Sequence, residues 1–363
     1  MFTADLLEYK TRLNDRKGTD VKKYNVAVVG ASGAVGEELF RVLEEVNFPI
    51  GELLPLASAN SAGQFIEFSG SEYQIEELTE SVFQGRDIDI AFFSAGGSIS
   101  AKYARYAVES GAVVIDNTSH FRMMERVPLV VPEVNPQDIE LWEDTGIIAN
   151  PNCSTIQMVQ LLKPLHDLYG IKRVDVSTYQ AVSGAGKAGM EELVMQMQEF
   201  FAFKLSETEL KAFPHQIALN VIPHIDVPQE NGYTKEEMKM INETNKIMDS
   251  EFAISATCVR VPVLRSHSES ITITFKEGVE VNVAEARRVL SEFENVTVID
   301  DIENNQYPMP ITATDTDETY VGRIRKDIYA PNILHLWGVA DQVRVGAATN
   351  AVRIAQKWIK LED

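Results

Sequence analysis

A doubly wound parallel α/β domain followed by a second, α+β domain is the architecture that this 363-residue sequence predicts. Three observations carry it. A valine-rich run, "YNVAVV" at 24–29, ends in glycine and reads as a buried parallel strand. A glycine loop, "GASGAVG" at 30–36, then opens a helix. Apolar strands and amphipathic helices alternate as far as residue 152, after which strands with period-two patterning take over.

The elements follow in order. After the first strand, Leu39, Val42, Leu43 and Val46 recur at helical spacing and place a helix over 33–46. "ELLPLAS" (52–58) is a second strand and "DIDIAFFSA" (87–95) a third, with a helix through "KYARYAVESG" after it. "AVVIDNTS" (112–119) and "GIIANPN" (146–152) are further strands. Beyond them "TIQMVQLLKPLHDLYG" is helical and "RVDVSTYQAV" (173–182) alternates as a strand. A glycine loop, "SGAGKAG", leads into a methionine-rich helix carrying Met190, Met195 and Met197. "KEEMKMINETNKIM" is predicted as an exposed amphipathic helix. "ISATCVRVPV" and "SESITITFKE" are expected to be strands paired antiparallel, and "VAEARRVLSEF" a helix. The C-terminal "GAATNAVRIAQKWIKLED" is expected to be a helix that returns to the first domain. The predicted organisation is an N-terminal extension (1–23), a doubly wound α/β domain (24–152, completed by the C-terminal helix within 340–363) and an α+β domain (153–339); the motifs and the resemblance given below imply dinucleotide binding for the first domain and catalysis and dimerisation for the second.

Composition narrows the function classes. Hydrophobic residues at 45% and charged residues at 24% suit a globular chain with a sizeable core. No apolar run approaches the roughly 18 residues of a membrane span. The first twenty residues carry acids and no long apolar core, so they read as neither a secretory signal nor a transit peptide. Leu6, Leu7, Tyr9 and Leu13 are consistent there with one amphipathic turn. Two cysteines give no disulfide framework and point to a reducing, cytoplasmic setting. A formal charge of -21 argues against nucleic-acid or anionic-membrane partners. An anionic substrate then needs local cations, which screening over about 8 Å allows.

The loop Gly30-Ala31-Ser32-Gly33-Ala34-Val35-Gly36 lies between strand and helix, as a pyrophosphate site requires. Its spacing, G-x-x-G-x-x-G, is a partial match to the dinucleotide fingerprint. Candidate cofactor contacts are Gly30, Ser32, Gly33, Ala34, Val35 and Gly36. At the end of the second strand stand Ser58, Asn60 and Ser61. No acid is present there to repel a 2′-phosphate, which favours NADP; no arginine clasps one, so NAD stays open. No metal-ligand pattern is apparent.

Cys153 follows Asn150-Pro151-Asn152 at a predicted helix start. A helix N-terminus favours thiolate, and its amides suit an oxyanion on a carbonyl attacked by sulfur. Cys258, inside "SATCVRVPV", fits a buried structural thiol. A nucleophilic cysteine needs a proton-transfer partner. His267, close behind Arg260 and Arg265, ranks slightly above His120. His166 and His335 read as structural, and His215 and His224 are ambiguous.

Seven segments in order, "VVGASGAVG", "PNCSTIQ", "YQAVSGAGKAG", "FPHQIALNVIPHID", "ETNKIM", "CVRVPVLRSHSES" and "VGRIRKDI", together resemble aspartate-β-semialdehyde dehydrogenase from about Tyr24 to Ile359. The resemblance implies a Rossmann-type domain joined to a glyceraldehyde-3-phosphate-dehydrogenase-like catalytic domain, assembled as a homodimer or homotetramer. It implies reduction of L-aspartyl 4-phosphate to L-aspartate 4-semialdehyde with NADPH, releasing phosphate, in lysine, threonine, methionine and diaminopimelate biosynthesis. By the same motifs, Cys153 is the expected thioester nucleophile, His267 the general acid/base, and Gln180 the group that orients substrate. Arg260 is expected on the α-carboxylate, Arg122 and Lys239 on phosphate, Glu236 on the amine, with Asn152 beside them. Ser183, Gly184 and Gln342 are expected near the nicotinamide half of the cofactor. The family commonly has arginine where Asn60 stands and asparagine where Gln342 stands. Two alternatives are N-acetyl-γ-glutamyl-phosphate reductase, whose cysteine usually follows Pro-Gly, and a catalytically silent dinucleotide sensor, which would lack the cysteine or histidine.

Overall fold

In the computed structural model, which describes residues 22–204 and 209–362, the apolar run Tyr24–Val29 is strand β1. The N-terminal turn expected at Leu6–Leu13 lies outside the described residues. Helix α1 (Ala34–Glu45) follows, then β2 (Ile50–Ala57), the hairpin β3 (Phe65–Phe68) and β4 (Ser71–Gln74), and β5 (Glu76–Glu77). After β6 (Ile90–Phe93) come α2 (Gly97–Glu109), β7 (Val113–Asp116) and β8 (Ile147–Ala149). Six strands form one sheet in the order β5-β2-β1-β6-β7-β8, and every pairing is parallel. The order reverses at β1, so the loop leaving β1 sits at the topological switch point where such sheets bind ligands. Burial explains the unbroken apolar runs: all of Ile90–Phe93 and Val113–Asp116 is enclosed.

By compactness the chain divides into two units, one running up to Pro151 and resuming at Ala347, the other spanning Asn152–Gly346. The C-terminal helix, labelled α7 (Thr349–Glu362), joins the first unit. Its Trp358 is fully buried edge-on against Tyr24 (6.3 Å) and Trp142 (5.6 Å). Asn350 donates to Val130 O (3.0 Å) and Asn150 Oδ1 (2.6 Å).

The second unit begins with α3 (Cys153–Tyr169) and β9 (Ile171–Gln180). Then follow α4 (Gly186–Phe201), α5 (Lys235–Met248), β10 (Ala253–Arg260) and β11 (His267–Phe275). Helix α6 (Val283–Glu292), β12 (Val296–Val298), β13 (Thr319–Lys326) and β14 (Ile333–Ala340) complete it. The sheet order is β10-β9-β11-β14-β13-β12. Two expectations are corrected here. Strands β10 and β11 do not pair with each other: β9 lies between them, parallel to β10 and antiparallel to β11. Their short connection crosses the end of β9, where Val182 N–H donates to Val263 O (2.9 Å) and Ser183 N–H to Leu264 O (3.3 Å).

Helix α5 is not an exposed helix with a solvated acidic face. Glu236, Glu237 and Glu243 are buried beside Met240 and Ile247. The acids can be buried because each has a partner in the protein. Glu237 closes a capping box with Thr234 and accepts Cys258 N–H (3.0 Å). In the methionine-rich helix, Met190 and Met197 pack half-buried against a small core around Leu193 and Phe213.

Candidate active site

In the first unit, Gly30 sits at φ +96 and turns the chain from β1 into α1. A Cβ on Gly36 would stand 2.1 Å from Gly30 O, so helix and loop touch backbone to backbone. No side chain caps the start of α1 at Gly33. Backbone groups and the helix dipole therefore face the position a pyrophosphate takes in such loops. Ser32 Oγ donates to Ser61 Oγ (3.0 Å), tying the loop to the turn after β2, where Ser58 O accepts Ser61 N–H and Ala62 N–H. Ser58 and Asn60 are exposed. A dinucleotide fits these residues: the approach is open to backbone, and no carboxylate stands at 58–61. Arg122, also in this unit, is buried and donates from Nε to Asn150 O (2.9 Å) and from Nη2 to Asn117 O (2.9 Å).

In the second unit, Cys153 is the first residue of α3 and half-buried. Asn152 caps the helix, its Oδ1 accepting Ser154 N–H (3.1 Å) and Thr155 N–H (3.2 Å). Those two amides, expected to face an oxyanion, are thus already bonded within the turn. Asn152 is itself held twice by α5: its N–H donates to Glu243 Oε2 (2.6 Å) and its Nδ2 to Glu236 Oε1 (2.9 Å). Glu236 is the hub. Its Oε1 also accepts Gln180 Nε2 (3.2 Å), and its Oε2 accepts Lys239 Nζ (3.0 Å). Burial opposes its ionisation, but the Lys239 charge and the bonds from Asn152, Lys239 and Gln180 outweigh it and hold the carboxyl below the usual range. Gln180 Nε2 also donates to Ser154 Oγ (2.9 Å), and Lys239 Nζ reaches Asp226 Oδ2 (2.7 Å). Burial works against the Lys239 charge, yet Glu236 and Asp226 keep its pKa raised.

Arg260, at the end of β10, is buried and donates from Nη1 to Ala181 O (2.7 Å). Burial depresses its pKa, while Glu236 and Cys153 interact with it favourably. His267 opens β11 and is fully buried. Its Nδ1 accepts Ala181 N–H (3.1 Å), which leaves the proton of the neutral ring on Nε2. Nε2 is buried with no hydrogen-bond partner among the described residues. Burial, reinforced by the Arg260 charge, pushes the imidazole down to about 3, so it is neutral near pH 7. A Cβ on Gly184 would lie 2.6 Å from Arg260 Nη1 and 3.3 Å from His267 Nε2. Glycine at 184 therefore keeps open the space those two groups share. Gln342 braces the same turn: its Oε1 accepts Ser266 N–H (2.7 Å) and its Nε2 donates to Ser183 Oγ.

Residues 25–142 match the family described as semialdehyde dehydrogenase, NAD binding domain, and 162–345 the semialdehyde dehydrogenase dimerisation domain. Aspartate-semialdehyde dehydrogenase of Campylobacter jejuni is 65% identical over 342 residues, covering 94% of this chain and 99% of that protein. The chain belongs to the aspartate-semialdehyde dehydrogenase family. The Aquifex aeolicus member is 54% identical, over 93% of this chain and 98% of its own. A crystal structure of aspartate semialdehyde dehydrogenase II from Vibrio cholerae complexed with ASA superposes with a TM-score of 0.89 at 44% identity, over 94% of this chain and 99% of that one.

In this family member the other candidates have ordinary structural tasks. His335 is fixed between Thr272 Oγ1 (2.9 Å) and Asp327 Oδ2 (3.0 Å). His166 Nδ1 accepts Ile171 N–H (3.3 Å), and His120 packs edge-on against Phe121. Cys258 is buried against Met240 Sδ (3.6 Å), and burial pushes its thiol far up. Two residues at the site were not read from the sequence. Glu243 holds the helix cap. A Cβ on Gly346 would meet Cys153 Cβ at 2.6 Å and Cα at 3.0 Å. Glu243 was visible only as part of "ETNKIM", and Gly346 only as one glycine of a helix start. Among the described residues no helix is long and apolar enough to cross a membrane, and no His/Cys/Asp/Glu group is arranged to hold a metal.

Proposed function

We propose that the protein interconverts L-aspartyl 4-phosphate and L-aspartate 4-semialdehyde with NADP, through a thioester on Cys153, on the route to lysine, threonine and methionine. The observation that carries this reading is the partnerless, buried Nε2 of His267 beside Gly184 and Arg260. A buried donor without an acceptor is costly, and an acceptor supplied by substrate removes the cost.

In this reading the thiolate of Cys153, favoured by the α3 dipole and the Arg260 charge, attacks the acyl phosphate and phosphate leaves. The bound cofactor supplies the hydride that reduces the thioester, or accepts it in reverse. His267 acts as a donor through Nε2–H to the oxygen of the tetrahedral centre, which then collapses to aldehyde and thiolate. Protonation of the ring at Nδ1 would set two donors against each other at Ala181 N–H, so the neutral tautomer is the working form. The N–H groups of Arg260 not engaged by Ala181 O take the α-carboxylate, and a remaining N–H of Lys239 takes phosphate. Gln180 and Glu236 hold the cap of α3, and Glu236 receives the substrate amine by exchange with one of its present donors. The loop 30–36 takes the pyrophosphate. The match of 162–345 to a dimerisation domain supports a homodimer or homotetramer; two cysteines without a disulfide framework suit a cytoplasmic setting.

The test is a phosphate-dependent assay. Purified protein is expected to reduce NADP only when aspartate semialdehyde and phosphate are both present. Turnover of N-acetylglutamate semialdehyde instead would overturn the substrate, and turnover without phosphate would overturn the acyl-phosphate step.

A further inference from the structure

Two residues beyond His267 on the same strand lies a buried carboxyl group with no use in the steps above. Glu269 is fully buried, and neither of its oxygens has a hydrogen-bond partner among the described residues. It stands two positions after His267 on β11, so both side chains share one face of the sheet. Across the sheet, Cys258, Thr178, Glu269 and Gly338 stand side by side in register on β10, β9, β11 and β14. Arg260 and Gln180 form the next row along, on the side of His267.

Helix α3 covers this row. Gln157 comes four residues after Cys153, on the same helical face. Its Nε2 lies 3.5 Å from the His267 carbonyl oxygen, and its Oε1, like both Glu269 oxygens, is buried without a hydrogen-bond partner among the described residues. The titratable groups in its row and on its strand are Cys258 on β10 and His267; β9 contributes Thr178, β14 Gly338 and α3 Gln157, and Arg260 stands one row away, beside Gln180. None in the row of Glu269 supplies a positive charge. An ionised carboxylate there would be a buried charge with neither a cation nor a hydrogen-bond donor satisfying it, whereas a carboxylic acid is uncharged and brings a donor of the kind that the orphaned Gln157 Oε1 lacks.

We propose that Glu269 is a positioning residue that works as a neutral carboxylic acid, donating its proton to the Gln157 side-chain oxygen and so tying the helix that begins at Cys153 to the strand that begins at His267. Two contacts then join the same two elements. Gln157 Nε2 at the His267 carbonyl oxygen is one, and the Gln157–Glu269 pair, one helical turn along from Cys153, is the other. Burial raises the Glu269 pKa well above the usual range, with the Gln157 contact opposing, in keeping with the neutral form. The inference rests on Cys153 and His267 being the reacting pair.

The experiment compares wild type, Glu269→Gln and Glu269→Leu. The glutamine keeps a donor for Gln157; the leucine fills the space and donates nothing. Leucine is expected to lower kcat by about tenfold or more with little change in KM, since small misplacements of reacting groups cost that much. Glutamine is expected to restore kcat to within about threefold of wild type. A glutamine variant as slow as leucine, or a leucine variant as fast as wild type, overturns the proposal. Infrared spectroscopy gives a readout independent of turnover. The difference spectrum of wild type minus Glu269→Gln at neutral pH is expected to show a protonated carboxylic acid, and its absence overturns the neutral form. The stability sign follows: the unfolded carboxyl releases its proton near pH 4.3 and the folded one does not, so wild type loses stability relative to Glu269→Gln as pH rises above that value. If wild type itself fails the phosphate-dependent assay, the activity assignment fails, while the infrared result still decides the state of Glu269.

Discussion

The glycine loop of the first unit and the cysteine site of the second, each proposed here to receive an anion, are built by opposite means. The loop works through backbone. Gly33 N–H donates to Gly30 O (3.0 Å), Gly30 N–H and Ala31 N–H donate to Leu56 O (2.9 and 3.1 Å), and Ser32 Oγ donates to Ser61 Oγ. The cysteine site works through side chains that hold one another: Glu236 receives Asn152, Gln180 and Lys239 from positions as far as 84 residues away. A backbone site tolerates changes of side chain but not the addition of a Cβ at its contacts. A side-chain site is already charged and oriented before substrate arrives, and it depends on partners distant in sequence.

The largest expected effect separates the chemistry from the scaffold. Cys153→Ala removes the nucleophile and is expected to lower turnover by about 10⁴-fold or more, with cofactor binding measured by fluorescence titration unchanged. Near-normal turnover would end the thioester reading. Gly346→Ala comes next. Its Cβ would collide with the Cys153 Cβ and Cα, so the nucleophile must shift. A shift of that size is expected to lower kcat by about 100-fold, and the rate of alkylation of Cys153 by iodoacetamide should fall with it. A variant with wild-type kcat would show that the thiol has slack that the distances do not suggest.

The matching variant in the other region is Gly36→Ala. Here the added carbon meets backbone, Gly30 O at 2.1 Å, and the loop must open. The expected result is a KM for NADP raised by about tenfold with kcat changed much less, since in the proposed reading the loop positions the cofactor and holds no reacting group. A fall confined to kcat would contradict the division of labour between the two regions.

How much of this was legible in the sequence follows from the same contrast. The loop at 30–36 was readable because backbone recognition demands glycines at close spacing, between a strand and a helix that announce themselves by period. The place of Cys153 at a helix start was readable because a polar turn before an apolar helical pattern is a local signal. Glu236, Lys239 and Arg260 were visible only through family resemblance, because what distinguishes them from surface charges is burial. The acidic face of α5 was misread for that reason. Gly346 lies 193 positions from Cys153, and nothing local marks the contact. The antiparallel pairing of β10 with β11 was expected from their nearness in sequence, and β9 displaced it because it offers an unpaired edge to each. Strands β12 to β14 were missed: β12 has three residues, and the pairing of β13 shifts between Gly322 and Arg325, which breaks the alternation.

The smallest expected effect concerns Asn60, where the two kinds of recognition meet. The residue is exposed, in a turn with no acid from Ser58 to Ser61. Nothing there repels a 2′-phosphate, and serine hydroxyls with backbone amides can hold one without a cation. Asn60→Arg would add a fork that suits phosphate. An exposed charge gains about 1 kcal/mol at most, because water and salt screen it and a long side chain must be ordered. The expected change is thus a rise of about fivefold in the ratio of kcat/KM for NADP over NAD, diminishing as salt is raised. No change would mean that backbone and serine contacts already saturate the phosphate, and the comparison would sharpen, with the first unit reading its cofactor by main chain even at the group that distinguishes NADP from NAD.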